Sequence, residues 1–124
     1  MKKKPKIFYA EDMRVLRQSV AMMLKLAGYR VDSFEDGVDL MLKLKDDAAC
    51  DVVVTDNDMP VMMGMEVLRG IKSNPAWQHM PVIVFSGNDA IRQQVTELGG
   101  VFVDKGNIDP LLEAIAKVMS RAAA

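Results

Sequence analysis

Two hydrophobic periods alternate along this chain five times, and few folds accommodate that pattern. Short apolar runs at Ile7–Ala10, Asp51–Thr55, Pro81–Phe85 and Val101–Val103 have the length and β-branched content of buried strands. Another, Tyr29–Phe34, alternates apolar and polar residues as a half-exposed edge strand does. Between and after these runs the apolar residues recur at helical spacing. The first set is Leu16, Val20, Met23, Leu24 and Ala27, with Gly28 as its stop. The second is Val38, Met41 and Leu44, opened by Asp36-Gly37, and the third helix spans Gly64 to Lys72. The fourth is marked by Ile91, Val95 and Leu98, with Asn88 or Asp89 as its cap. The fifth carries Leu111, Ile115, Val118 and Met119, with Pro110 expected at its first helical position. Strands alternating with helices require right-handed crossovers and a parallel sheet covered on both faces. Five such units predict a three-layer, doubly wound α/β fold with strand order 2-1-3-4-5, the flavodoxin-like arrangement.

Length and charge narrow the function classes. A chain of 124 residues predicts one domain spanning 1–124, with its core at 6–121. The formal net charge of −1 lacks the basic excess of a nucleic-acid footprint, so no direct nucleic-acid contact is expected. The single cysteine, Cys50, excludes an internal disulfide and fits a reducing compartment. No apolar run reaches membrane-spanning length. The basic start, Met1 to Lys6, is followed by only four apolar residues before Glu11, too few for an export signal. A cytoplasmic protein without membrane contact is the expectation.

The strand tips carry the chemistry. Glu11 and Asp12 follow the first run, Asp56 and Asp58 the third, Ser86-Gly87 the fourth, and Asp104-Lys105-Gly106 the fifth. In the 2-1-3-4-5 order the first and third strands are neighbours at the switch point, where ligands of open α/β sheets bind. Acids, a hydroxyl and a lysine on one rim suit a divalent cation beside a phosphoryl group. Each residue also has a plainer reading. A strand-tip aspartate caps helices or shapes turns, Glu11 and Asp12 suit a helix N-terminus, Ser86 can cap the fourth helix, and Lys105 can be a surface cation. His79, in a loop, reads as an exposed structural residue. Met59, Met62, Met63 and Met65 read as adaptable packing around the loop after Asp56.

Taken together, Glu11-Asp12 with Arg17, Asp56 with Met59-Pro60 and Gly64, Ser86-Gly87 and Lys105 resemble the receiver domain of two-component response regulators, from Lys6 to about Arg121. The resemblance implies that Asp56 is the phosphoacceptor. It implies that Glu11, Asp12, Asp56 and the backbone carbonyl of Asp58 hold Mg2+, and that Ser86 and Lys105 contact the phosphoryl group. Ser86 and Phe102 would form the switch, and Asp58 and Asn88 would tune hydrolysis of the aspartyl phosphate. The implied partners are a sensor histidine kinase or histidine phosphotransfer protein and a downstream effector. The effector would read the face built from the fourth helix, fifth strand and fifth helix. The protein would be a monomer or a weak phosphorylation-dependent dimer, and no enzyme beyond its own phosphorylation and dephosphorylation. Four positions depart from the family pattern: Gly106 for the common proline, Met63 for an aspartate, Met13 for a third acid or small polar residue, and Phe102 for tyrosine. Lacking a hydroxyl to bury, Phe102 is expected to favour an inward rotamer more than tyrosine would. Two other functions stay open: a phosphatase built on Asp56-Asn57-Asp58, like the haloacid-dehalogenase-like aspartate pair, and a protein-binding module indifferent to phosphate.

Overall fold

In the computed structural model, which describes residues 4–123, the strands are β1 (Lys6–Ala10), β2 (Arg30–Phe34), β3 (Val52–Thr55), β4 (Val82–Ser86) and β5 (Val101–Asp104). They form one parallel sheet in the order β2-β1-β3-β4-β5. The helices are α1 (Arg14–Leu26), α2 (Gly37–Asp46), α3 (Gly64–Lys72), α4 (Arg92–Glu97) and α5 (Ile108–Ala123). The expected three-layer, doubly wound architecture is therefore the one observed. No helix among the described residues is long and apolar enough to cross a membrane.

Strand alternation divides the core into two layers. Phe8, Val53, Val82, Val84 and Phe102 point to one face and pack with Leu40, Leu44, Val67, Leu68, Ile71 and Val95 from α2, α3 and α4. Ile7, Tyr9, Val52, Val54, Ile83, Phe85 and Val103 point to the other and pack with Val20, Leu24, Leu111, Ile115 and Val118 from α1 and α5. The three central strands are covered on both sides, which explains their continuous apolar runs. β2 lies at the edge and none of its residues is fully buried; its Phe34 meets Phe8 edge-to-face, with centroids 5.4 Å apart.

Local signals set the helix ends. α1 stops at Gly28, whose φ of +103° is a left-handed conformation that glycine adopts without a Cβ penalty. Asp36 caps α2 by accepting from the Asp39 N–H at 2.8 Å. One helix start differs from expectation, and at another the expected cap, Asn88, opens a 3-10 turn ahead of the helix itself. α5 begins at Ile108, with the Asn107 side chain accepting from the Asp109 N–H, so Pro110 lies third in the helix rather than first. It is tolerated there because N–H groups of the first turn have no intrahelical acceptor. α4 is preceded by a 3-10 turn at Asp89–Ile91, capped by the Asn88 side chain, which accepts from the Ala90 N–H at 3.2 Å.

Candidate functional site

The sheet ladder continues one residue beyond the strands and fixes the backbone of the site. The Glu11 N–H donates to the Phe34 carbonyl at 3.0 Å, the Asp56 N–H to that of Ala10 at 3.0 Å, and the Lys105 N–H to that of Ser86 at 3.2 Å. Glu11, Asp56, Ser86 and Lys105 are thereby held at the carboxyl ends of four strands, on one rim. Glu11, Asp12 and Asp56 each place a carboxylate oxygen within 4.8 Å of the others. Glu11 is fully buried and Asp56 is 5% exposed, whereas Asp12 faces solvent. Lys105 reaches across the rim, with Nζ 2.5 Å from Glu11 Oε1 and 3.1 Å from Asp56 Oδ1. Lys105 thus contacts Glu11 as well as Asp56, a pairing that sequence order alone does not specify.

Electrostatics follow from burial. Loss of hydration pushes the Glu11 and Asp56 carboxyls above their ordinary range, and the Lys105 ammonium only partly counters it. Burial would depress Lys105, but its hydrogen bonds to the two carboxylates hold it above the usual lysine value. Two buried acids sharing one cation are an incomplete set. Hard, closely spaced oxygen ligands of this kind fit a small divalent ion such as Mg2+, which takes carboxylates and retains water. Arg17 braces the loop below by donating to the Glu11 carbonyl at 2.8 Å, and the Met13 N–H donates to Glu11 Oε2 at 3.1 Å. Met13 thus acts through its backbone, while its side chain is exposed.

The loop between β3 and α3 is tightly built. Asn57 is buried; its side-chain oxygen accepts from the Met65 N–H at 3.1 Å, and its backbone carbonyl accepts from Met59 and Gly64. Sequence reasoning missed this role because an asparagine between two acids reads as an ordinary turn residue. A Cβ on Gly64 would lie 2.3 Å from the Asp56 carbonyl oxygen, so only glycine lets α3 approach the acceptor's backbone. Val61 has φ of +69° at the centre of a three-residue turn closed from the Met62 N–H to the Pro60 carbonyl at 2.7 Å. A β-branched residue in that conformation stores backbone strain beside the site. Met59 and Met65 are buried and Met62 is partly so, and these three pack around the loop as expected; Met63 is exposed and does not.

The remaining candidates are dispersed. Ser86 is fully buried, and its Oγ accepts from the Asn88 N–H at 3.0 Å. Asp58 and Asn88 are exposed, in the segments that follow β3 and β4. Phe102 lies in the core layer below α4, only 8% exposed. At Gly106 the N–H donates to Asp104 Oδ1 at 2.9 Å, a bond that proline cannot make. Away from the rim, burial pushes the Cys50 thiol up to about 12, consistent with an inert thiol, and His79 is exposed.

A family model described as response regulator receiver domain matches residues 7–116. The chemotaxis protein CheY-3 of Vibrio cholerae is 29% identical over 118 residues, covering 94% of this chain and 89% of that protein. The two-component response regulator ORR8 of Oryza sativa is 28% identical over 111 residues, covering 90% and 88%. Among solved structures, the chemotaxis response regulator CheY4 of Vibrio cholerae superposes with a TM-score of 0.82 at 26% identity, covering 93% of this chain and 98% of that one. A response regulator receiver domain from Clostridium thermocellum does so with 0.89 at 25% identity, covering 96% and 97%.

Proposed function

This chain belongs to the response regulator receiver domain family of two-component signalling, and from that premise we propose that Asp56 accepts a phosphoryl group from a partner's phosphohistidine. The observation that carries this reading is the Glu11–Asp12–Asp56 carboxylate cluster with Lys105 bridging two of its members. An Asp56 carboxylate oxygen attacks phosphorus, the P–N bond breaks, and its electron pair leaves with the histidine nitrogen. Lys105 trades its carboxylate contacts for phosphoryl oxygens, balancing the negative charge that gathers there. Ser86 donates a hydrogen bond from its hydroxyl to a phosphoryl oxygen and keeps its proton; among the described residues its Oγ only accepts, from the Asn88 N–H. Glu11, Asp12, Asp56 and the Asp58 carbonyl would hold Mg2+, which supplies screening of the acceptor and of the incoming phosphoryl charge. Asp58 and Asn88, exposed beside the acceptor, set how water reaches the aspartyl phosphate.

The output is a change of surface. Ser86 drawn toward the phosphoryl group shifts the segment leading into α4, and the α4–β5–α5 face that contains Phe102 presents itself differently to an effector. The family works with histidine kinases or phosphotransfer proteins upstream and effectors downstream; here they act in the cytoplasm on a monomer or weak dimer. The protein is not a multiple-turnover enzyme, and p-nitrophenyl phosphate should not be hydrolysed steadily. Incubation with Mg2+ and acetyl phosphate, followed by intact mass, should show one added phosphoryl group in the wild type and none in Asp56→Asn. No gain in the wild type would refute the proposal.

A further inference from the structure

Outside the acidic cluster, the fold brings one cation against one aromatic ring. Arg92, the first residue of α4, places its guanidinium carbon 4.5 Å from the centroid of the Phe102 ring, inside the range at which a cation is attracted to a ring face. The Arg92 side chain is 53% exposed, so the guanidinium lies over a ring that is otherwise packed into the core. Its position is fixed from behind. Nε and Nη2 donate to Asp89 Oδ1 at 2.9 Å and 2.8 Å. Asp89 begins the 3-10 turn capped by Asn88, and the Asn88 N–H donates to Ser86 Oγ. A short series of contacts thus runs from the buried hydroxyl at the rim, through Asn88, Asp89 and Arg92, to the Phe102 ring.

We propose that Arg92 is the positioning residue for Phe102. Tethered by Asp89, it holds the ring inward in the unphosphorylated chain and makes the ring follow the Ser86–Arg92 segment. The proposal rests on the reading of Ser86 and Phe102 as switch residues. Burial alone would leave a phenylalanine ring to choose its rotamer independently of the loop above it. A guanidinium anchored to that loop adds a contact that exists only while loop and ring keep their present relation, so displacement of one biases the other. It also means that an effector approaching this face meets a cation before it meets the ring.

The test is 19F NMR of protein labelled with 4-fluorophenylalanine, the Phe102 resonance being assigned with Phe102→Leu. The H2O-to-D2O shift of that resonance reports its exposure. The wild type should show a shielded ring. Arg92→Gln, which keeps much of the stem but no charge, should lower the inward-to-outward ratio about two- to fivefold, the effect of losing an exposed cation–π contact. Asp89→Asn should lower it less, and Arg92→Lys should restore part of it. The other three phenylalanine resonances should not move, which shows that the fold is intact. An unchanged Phe102 resonance in Arg92→Gln would overturn the proposal, as would Arg92→Lys behaving like Arg92→Gln. Phosphoryl uptake from acetyl phosphate, measured by mass on the same samples, separates the two ideas. Its absence from the wild type sinks the phosphoacceptor reading whatever the ring does; normal uptake with an indifferent ring sinks only the role of Arg92.

Discussion

Asp56→Asn should stabilise the metal-free protein. The Asp56 and Glu11 carboxylates approach within 4.8 Å, and at an effective dielectric near 20 this repulsion is worth about 3–4 kcal/mol. Lys105, 3.1 Å from Asp56, returns about 5 kcal/mol on the same scale. Asp12 is exposed, so solvent screening leaves its repulsion at about 1 kcal/mol. These contributions nearly cancel, and the lost hydration of a nearly buried carboxylate, several kcal/mol per ion, then decides the sign. The amide removes the charge while Lys105 keeps Glu11 as its partner, so a net gain of about 1–3 kcal/mol is expected. The pH dependence carries the same information. The carboxyls of Asp56 and Glu11 are raised in the folded state, so the folded state binds protons more tightly than the unfolded one. Their contribution is most favourable below the ordinary carboxylate range, near pH 4, and is lost as pH rises through the elevated folded values. Wild type should therefore gain stability from pH 7 to pH 5, and Asp56→Asn should gain less. Urea unfolding followed by circular dichroism, with a chelator present, measures both. A less stable variant, or the same pH difference in both proteins, would refute the electrostatic argument.

Other perturbations probe separate parts of the site. Lys105→Met leaves fully buried Glu11 and nearly buried Asp56 without their cation, so it should cost about 3–5 kcal/mol at pH 7 and much less at pH 5 in urea unfolding. Gly64→Ala forces a methyl group against the Asp56 and Asn57 backbone, which cannot yield as a side chain would; a loss of at least about 1–3 kcal/mol and slower phosphoryl uptake from acetyl phosphate are expected. Phe102→Tyr adds a hydroxyl to a ring that is now inward, and should change the affinity of the unphosphorylated protein for its effector; an unchanged dissociation constant would contradict the rotamer argument.

Much of this was legible in the sequence because strand periodicity and strand-tip chemistry are local signals. The runs at Val52–Thr55 and Val82–Phe85 identify themselves as buried, and the order that places the first and third strands side by side brings Glu11 and Asp56 together before any contact is seen. What stayed hidden depends on side-chain direction across the fold. Nothing in the pattern says that Lys105 reaches Glu11 as well as Asp56, or that Asn57 turns inward to hold the Met65 N–H. Arg92 and Phe102 lie ten positions apart on different elements, and their stacking needs both the short α4 and the turn before it. The start of α5 lies two residues before the one that Pro110 suggests, because Asn107 supplies a cap that the proline signal masks.

The central claim concerns one atom's reactivity, and chemical trapping tests it directly. Protein treated with Mg2+ and acetyl phosphate is reduced with borohydride, which converts an aspartyl phosphate to homoserine, and is then digested and mapped by mass spectrometry. Homoserine at position 56 alone, dependent on Mg2+, is the predicted result. Homoserine at Asp12 or Asp58 instead, or none anywhere while a known receiver domain treated in parallel is trapped, would contradict the account.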